Sequence, residues 1–417
     1  MILPLLLAAT LALSAAPHAV DLGSTKFYAQ SDAGAQLVGI ELVVSAGTVR
    51  QTALQNGLAA LAAQTLLFTQ IDGTRLSDRV AAAGGSIDYA VDPGVVRFAL
   101  EVLPSALPAV SADLARAIAA PDTSAATVAA AREALGARID DDEGNPVTVG
   151  VEMLRNSYYR GSAGAPSYGT RASLAELESG DVAAFIAAHY LRDDAFATAT
   201  GRVDDAATAA VNAVLSAFPA GSEAPPVLAA QAFGPEPKHL VTQRAIGVPF
   251  ALVGFAAPAM SDPDFGAMLV LRSLLDDIAA RQSATTLAPF QRGIDVVYTY
   301  DVKPATFTVA INGSQLDPTT GLTVLQAIVK TAGTKPLAAD VIKRYKETAS
   351  GEWALEALSL TDRAWLIGAA VNQGAAPDLA QGVTAAIDRV TPADVQRLAK
   401  VYLQHYTVAL VLPRRRS

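Results

Sequence analysis

Residues 57–68, GLAALAAQTLLF, decide how the rest of the chain is read. Ala59, Ala60, Ala62 and Ala63 are strong helix formers and let neighbours approach closely. Leu58, Leu61, Leu66 and Leu67 are spread around the helix without forming one stripe, so the segment predicts a helix buried on most sides. Asn56 is its expected N-cap. Ala60 and Gln64 stand one turn apart on one face. A metal-binding helix carries its liganding histidines at such a pair; here the pair offers a methyl group and an amide.

Composition sets the outer bounds. The chain has 417 residues, 51% hydrophobic and 17% charged, which suits two packed domains and argues against disorder. A net charge of −9 disfavours nucleic acid, whose phosphates need Lys and Arg. The absence of cysteine excludes disulfides, thiolate catalysis and cysteine-based zinc sites. Residues 1–16, MILPLLLAATLALSAA, carry no charge and match the apolar core of a signal peptide in length, with Ser14 and Ala16 in a small-x-small pattern. A signal peptide is expected over 1–19, with a periplasmic mature chain starting near Pro17 or Val20. The run is too short for a membrane anchor.

Further along, 36–47 predicts a strand. A helix is expected over 74–83, stopped by Gly84 and Gly85, then a two-strand meander around Asp92-Pro93-Gly94. Helices are expected over 107–119, 124–139, 179–191 and 204–218, and a strand over 196–201. Asp140, Asp141, Asp142 and Glu143 form a run of carboxylates, a pattern that suits a cation but reads first as a solvated loop. Residues 219–237 contain five prolines and two glycines and read as a linker. The tail Arg414–Arg416 reads as a solvated basic end.

The second half repeats the first. LVVSAG at 42–47 matches ALVGFA at 251–256 without gaps, an offset of 209 that also sets Gly57 on Gly266 and Leu66 on Leu275. DVAAFIAAHYL at 181–191 resembles DVQRLAKVYL at 394–403, and a strand follows each. The fold class is therefore α/β (α+β), with two homologous domains, 20–218 and 238–417, joined by the linker. Each is expected to be a mainly antiparallel sheet packed with helices, because its turns are too short for crossovers.

Chemistry-bearing motifs are scarce. His18, His189, His239 and His405 include no pair at helical spacing, and each reads as structural. There is no nucleophile elbow, phosphate loop or dinucleotide fingerprint.

The order and spacing of these segments resemble the pitrilysin/insulinase family of zinc metallopeptidases, in its short bacterial and mitochondrial-processing form. AGTVRQTALQNGLAALAAQTLLF at 46–68 is similar to the segment where a member carries Ala-Gly-Ser, an acidic loop and Gly-Leu-Ala-His-x-x-Glu-His-x-Leu-Phe. RLSDRVAAAGGSIDYAVDPGVVRFALEVL at 75–103 is similar to the stretch that follows it. The resemblance implies two histidines that bind zinc and a glutamate that acts as general base on the bound water. Aligned without gaps, these fall on Ala60, Gln64 and Ala63. The third ligand, a glutamate, falls on Arg138. The resemblance therefore implies a degenerate site with no metal, no cofactor and no hydrolysis. It also implies a substrate-binding Arg and Tyr in the second half, for which Arg292 and Tyr298 are the candidates. A non-catalytic subunit is expected, paired with a zinc-bearing peptidase subunit of the family and helping to bind peptides. The alternative is a homodimeric peptide-binding or scaffold protein.

Overall fold

The computed structural model describes residues 15–225, 227–231, 233–234, 236–282, 294–312, 323, 325–328, 330 and 337–414. In the first half the strands are β1 His18–Leu22, β2 Thr25–Ser31, β3 Val38–Val44, β4 Gln70–Ile71, β5 Thr74–Arg75, β6 Ser86–Val91, β7 Val96–Val102 and β8 Ala195–Gly201. In the second they are β9 Lys238–Arg244, β10 Phe250–Ala257, β11 Ile294–Thr299, β12 Ala305–Asn312 and β13 Tyr406–Pro413. The first eight helices are α1 Leu58–Phe68, α2 Leu76–Ala82, α3 Leu107–Ala119, α4 Ala125–Gly144, α5 Pro146–Tyr158, α6 Arg171–Ala175, α7 Ser179–His189 and α8 Asp205–Ala217. They are followed by α9 Phe265–Gln282, α10 Ala339–Glu356, α11 Leu360–Asn372, α12 Leu379–Arg389 and α13 Pro392–Tyr402.

Two sheets carry the molecule. The larger has the order β1-β2-β8-β3-β7-β6, the smaller β11-β12-β10-β13-β9. Without β1, the orders are the same once β2, β3, β6, β7 and β8 are matched to β9, β10, β11, β12 and β13. Both sheets are antiparallel except at one pair, β2 with β8 and β9 with β13. The mixed α/β class and the antiparallel bias expected from the sequence are both found.

The compact units are not the two contiguous halves. One comprises residues 1–137, 166–227 and 356–381; the other 138–165, 228–355 and 382–417. Each unit thus includes a helix from the other half of the sequence. In the first, α11 lies on β8, β3 and β7. Thr198 donates to the Ala364 carbonyl at 2.6 Å and Thr200 to the Leu360 carbonyl at 2.7 Å. A Cβ on Gly39 would stand 2.5 Å from Leu360 Cβ, so only glycine admits the helix this close. On the other sheet face, Ile40, Leu42 and Phe98 line a small apolar cavity with Leu114 of α3 and Val214 of α8. Covered on both faces, β3 is buried along its whole length. In the second unit, α5 packs on β13 and β10, where Val149 and Leu154 join Phe250, Leu252 and Ala310 in an apolar core.

Two local readings need correction, and one element was not read at all. The carboxylate run Asp140–Glu143 is helical, since α4 continues to Gly144. Asn145 then caps α5, accepting from the Val147 and Thr148 amides, and Pro146 takes the first helical position. The hairpin β1–β2, turning at Gly23 and Ser24, had not been expected. The second correction is the cap of α1, described next.

Candidate functional site

Helix α1 begins at Gly57, whose φ of +92° places it in the left-handed region. A Cβ there would also meet Leu174 Cδ2 at 2.8 Å and the Tyr168 carbonyl at 2.9 Å. Asn56 does not cap the helix. The Gln51 side chain does, its Oε1 accepting from the Ala59 amide at 3.2 Å. A loop brings that amide acceptor back from eight positions upstream.

Around α1 the packing is close and largely apolar. Ala60 and Ala63 are 0% exposed, and Leu58, Leu61, Leu66 and Leu67 are buried with them. Gln64 is half-buried and makes no hydrogen bond among the described residues. The helix packs on α7, α2 and β6. On β6, the ring of Tyr89 meets Tyr168 edge-on with centroids 6.2 Å apart. Tyr190, at the end of α7, is fully enclosed, and burial pushes its phenol far above the usual range.

The donor chemistry does not fit zinc. A structural or catalytic zinc takes three or four N, S or O donors at about 2.0–2.3 Å. At the matched positions the chain offers two methyl groups and one neutral amide. Among the described residues, no group of three or more His, Cys, Asp or Glu is placed to hold a metal. Arg138 lies on α4 within the other compact unit. Its guanidinium acts on Asp142 one turn on, opposing the burial that raises that carboxyl.

Of the candidate substrate residues, Arg292 lies outside the described residues. Tyr298 is on β11, buried, with its hydroxyl donating to the Pro258 carbonyl. Phe265, Tyr300 and Phe307 surround it, and burial raises its phenol pKa. So placed, the phenol orders a loop.

Two charged groupings escaped sequence reading. His189 Nδ1 is 2.7 Å from Glu223 Oε2, which also faces Arg50 at 3.4 Å. These contacts strap the start of the Pro-rich segment to the first unit, and nothing local in sequence signals a pair 34 residues apart. The second is Glu41, 1% exposed in mid-strand. Its Oε1 is 3.5 Å from Arg97 Nη1, and Oε2 makes no hydrogen bond. Arg97 also faces Asp92 and stacks on Trp365 of α11, 4.5 Å from the ring centroid. Burial, the largest influence, holds the Glu41 carboxyl up at about 8.

In sequence, no family model and no curated protein matches the chain. Solved structures do. A protease from Helicobacter pylori superimposes with a TM-score of 0.82 at 13% identity, over 95% of this chain and 99% of that one. The peptidase M16 inactive domain from Pseudomonas fluorescens gives 0.80 at 14% identity, over 95% and 98%. A chain of complex III from Candida albicans gives 0.77 at 13% identity, over 95% of each. At such identities the likeness is one of fold, and the fold of this chain is that of the M16, pitrilysin-like peptidases.

Proposed function

We propose that the chain is a non-catalytic subunit of a peptidase assembly. It would pair with a zinc-bearing subunit of the same fold, close the peptide chamber and help to hold extended substrates. The observation that carries this reading is the pair Ala60 and Ala63. Both are fully buried methyl groups where a zinc-bearing helix keeps a histidine and its general base. The likeness to an M16 inactive domain supports it. Strand β6 is the end strand of the larger sheet, and an extended peptide adds to such an edge through main-chain hydrogen bonds. Export to the periplasm belongs to the same proposal.

Co-expression with a homologue that carries an intact His-x-x-Glu-His, with each chain also purified alone, tests it. The expected result is a stable heteromer whose peptide cleavage needs the homologue. Failure of the two to co-purify, or chelator-sensitive cleavage by this chain alone, would overturn it. The likeness to a chain of complex III favours a second reading, an envelope scaffold. A stable homodimer that captures no peptidase would select that reading.

A further inference from the structure

The duplicated sheets differ at one edge. In the larger sheet, β2 is covered on its outer side by β1, antiparallel, with Val20 opposite Phe27. In the smaller sheet the matched strand, β9, is the end strand, and no strand pairs with its outer side among the described residues.

The register fixes which groups face outward. Val43 pairs with Phe196, and Phe196 with Lys26; the matched Leu252 pairs with Ala409, and Ala409 with Leu240. His239, Val241 and Gln243 therefore stand where Thr25, Phe27 and Ala29 carry β1. Backbone polarity agrees. The Arg244 carbonyl accepts from the Arg414 amide at the end of β13. Groups on an extended strand alternate sides, so the N–H and C=O of 239, 241 and 243 point away from β13. Val241 is 58% exposed, and β9 has no proline or bulge to blunt pairing.

Charge selects the occupant. In a chain of net charge −9, this edge carries Lys238, His239 and Arg244, with exposed Arg414 beside its C-terminal end. A second copy pairing antiparallel about Val241 would set Lys238 against the other Arg244, and like charges directly opposite destabilise a sheet. We propose that the outer edge of β9 is a docking site for an extended acidic segment of a partner protein. The segment adds as an antiparallel strand, with its carboxylates at the N-terminal end, beside Arg244 and Arg414. This edge is separate from β6 and does not rest on the peptidase assembly.

The probe is a short fluorescent peptide of alternating valine and threonine with two aspartates at its N-terminus, titrated into the full chain at low salt. Binding is expected, weakening as salt rises. Val241→Pro removes an outward donor on an edge strand, where proline is tolerated. It should weaken binding at least roughly tenfold, as should Arg414→Glu or a peptide with lysines in place of the aspartates. In the wild-type chain, amide exchange should slow at His239, Val241 and Gln243 on binding, and this readout stands even if Val241→Pro fails to fold. No binding, binding indifferent to Arg414→Glu, or a concentration-dependent homodimer that protects these same amides would overturn the proposal.

Discussion

The two units share one strand order but differ at matched positions. The offset of 209 sets Glu41 of β3 on Phe250 of β10, and the ladders set Arg97 of β7 on Ala310 of β12. In the second unit, Phe250 and Ala310 belong to the apolar seat of α5. In the first, a buried carboxyl and a guanidinium occupy those places beneath α11. The helices differ in the opposite sense. Ala60, Ala63 and Gln64 of α1 match Leu269, Arg272 and Ser273 of α9. Helix α1 carries no charge, whereas Ser273 of α9 donates to Glu352 of α10 at 2.8 Å. Strand order is what the two units share. Polarity differs at matched positions of both the sheets and the helices.

The sharpest way to break this comparison is pH. Glu41 keeps its proton to about 8 in the folded chain, against 4.5 ordinarily. Burial is the main cause; Arg97 opposes it, while Asp362, Asp92 and Asp88 add to it. Between those pH values the folded state binds the extra proton. The contribution of Glu41 is therefore fully present below about pH 4.5, falls through the window and is lost above about 8. At 1.36 kcal/mol per pKa unit the swing is roughly 4–5 kcal/mol. The chain has two tryptophans, and each unit holds one, Trp365 in the first and Trp353 in the second. In a Trp353→Phe background, urea unfolding followed by Trp365 should show stability falling from pH 5 to pH 9. Glu41→Gln should remove most of that fall. Equal falls in both proteins would mean that Glu41 is not the group whose titration sets the pH dependence.

How much of this was legible in the sequence depends on range. Helix α3 was readable to its ends, because Pro108 opens it and its apolar residues recur at helical spacing. The duplication was readable from its glycines and leucines. That the family's metal positions fall on Ala60, Ala63 and Gln64 is a matter of sequence alone. Hairpin β1–β2 was not readable, although Gly23 and Ser24 between alternating segments were the available signal. Asp140–Glu143 looked like a loop because repelling carboxylates ordinarily do, and Arg138 one turn earlier offsets part of that repulsion. The placement of α11 and α5 left no local trace. Thr198 and Ala364 are 166 residues apart, and a glycine at 39 does not say which helix will cover it. Glu41 likewise gives no local sign of the helix that buries it.

Exchanging the matched apolar residues of α1 and α9 comes next in size. Leu269 is 4% exposed, and Leu269→Ala should cost about 3 kcal/mol by leaving a cavity. Ala60→Leu should cost about 2 kcal/mol by overpacking a site with no free surface. Each loss should appear in the tryptophan of its own unit. If Ala60→Leu proved stabilising, room would exist beside α1, and the close packing around Ala60 would be wrong.

The smallest effect separates the two helices at their polar position. Ser273 is buried, and its hydroxyl reaches both Glu352 and the Leu269 carbonyl. Ser273→Ala leaves the half-buried Glu352 carboxylate to water, so the cost should be about 1 kcal/mol, read by Trp353 next in sequence in a Trp365→Phe background. Gln64→Ala, the matched change in α1, removes an amide with no partner among the described residues, and should shift stability by less than about 0.5 kcal/mol. If Gln64→Ala instead cost as much as Ser273→Ala, α1 would hold a polar contact of its own. The contrast between an apolar helix in one unit and a polar one in the other would then fail at the residue matched to Ser273.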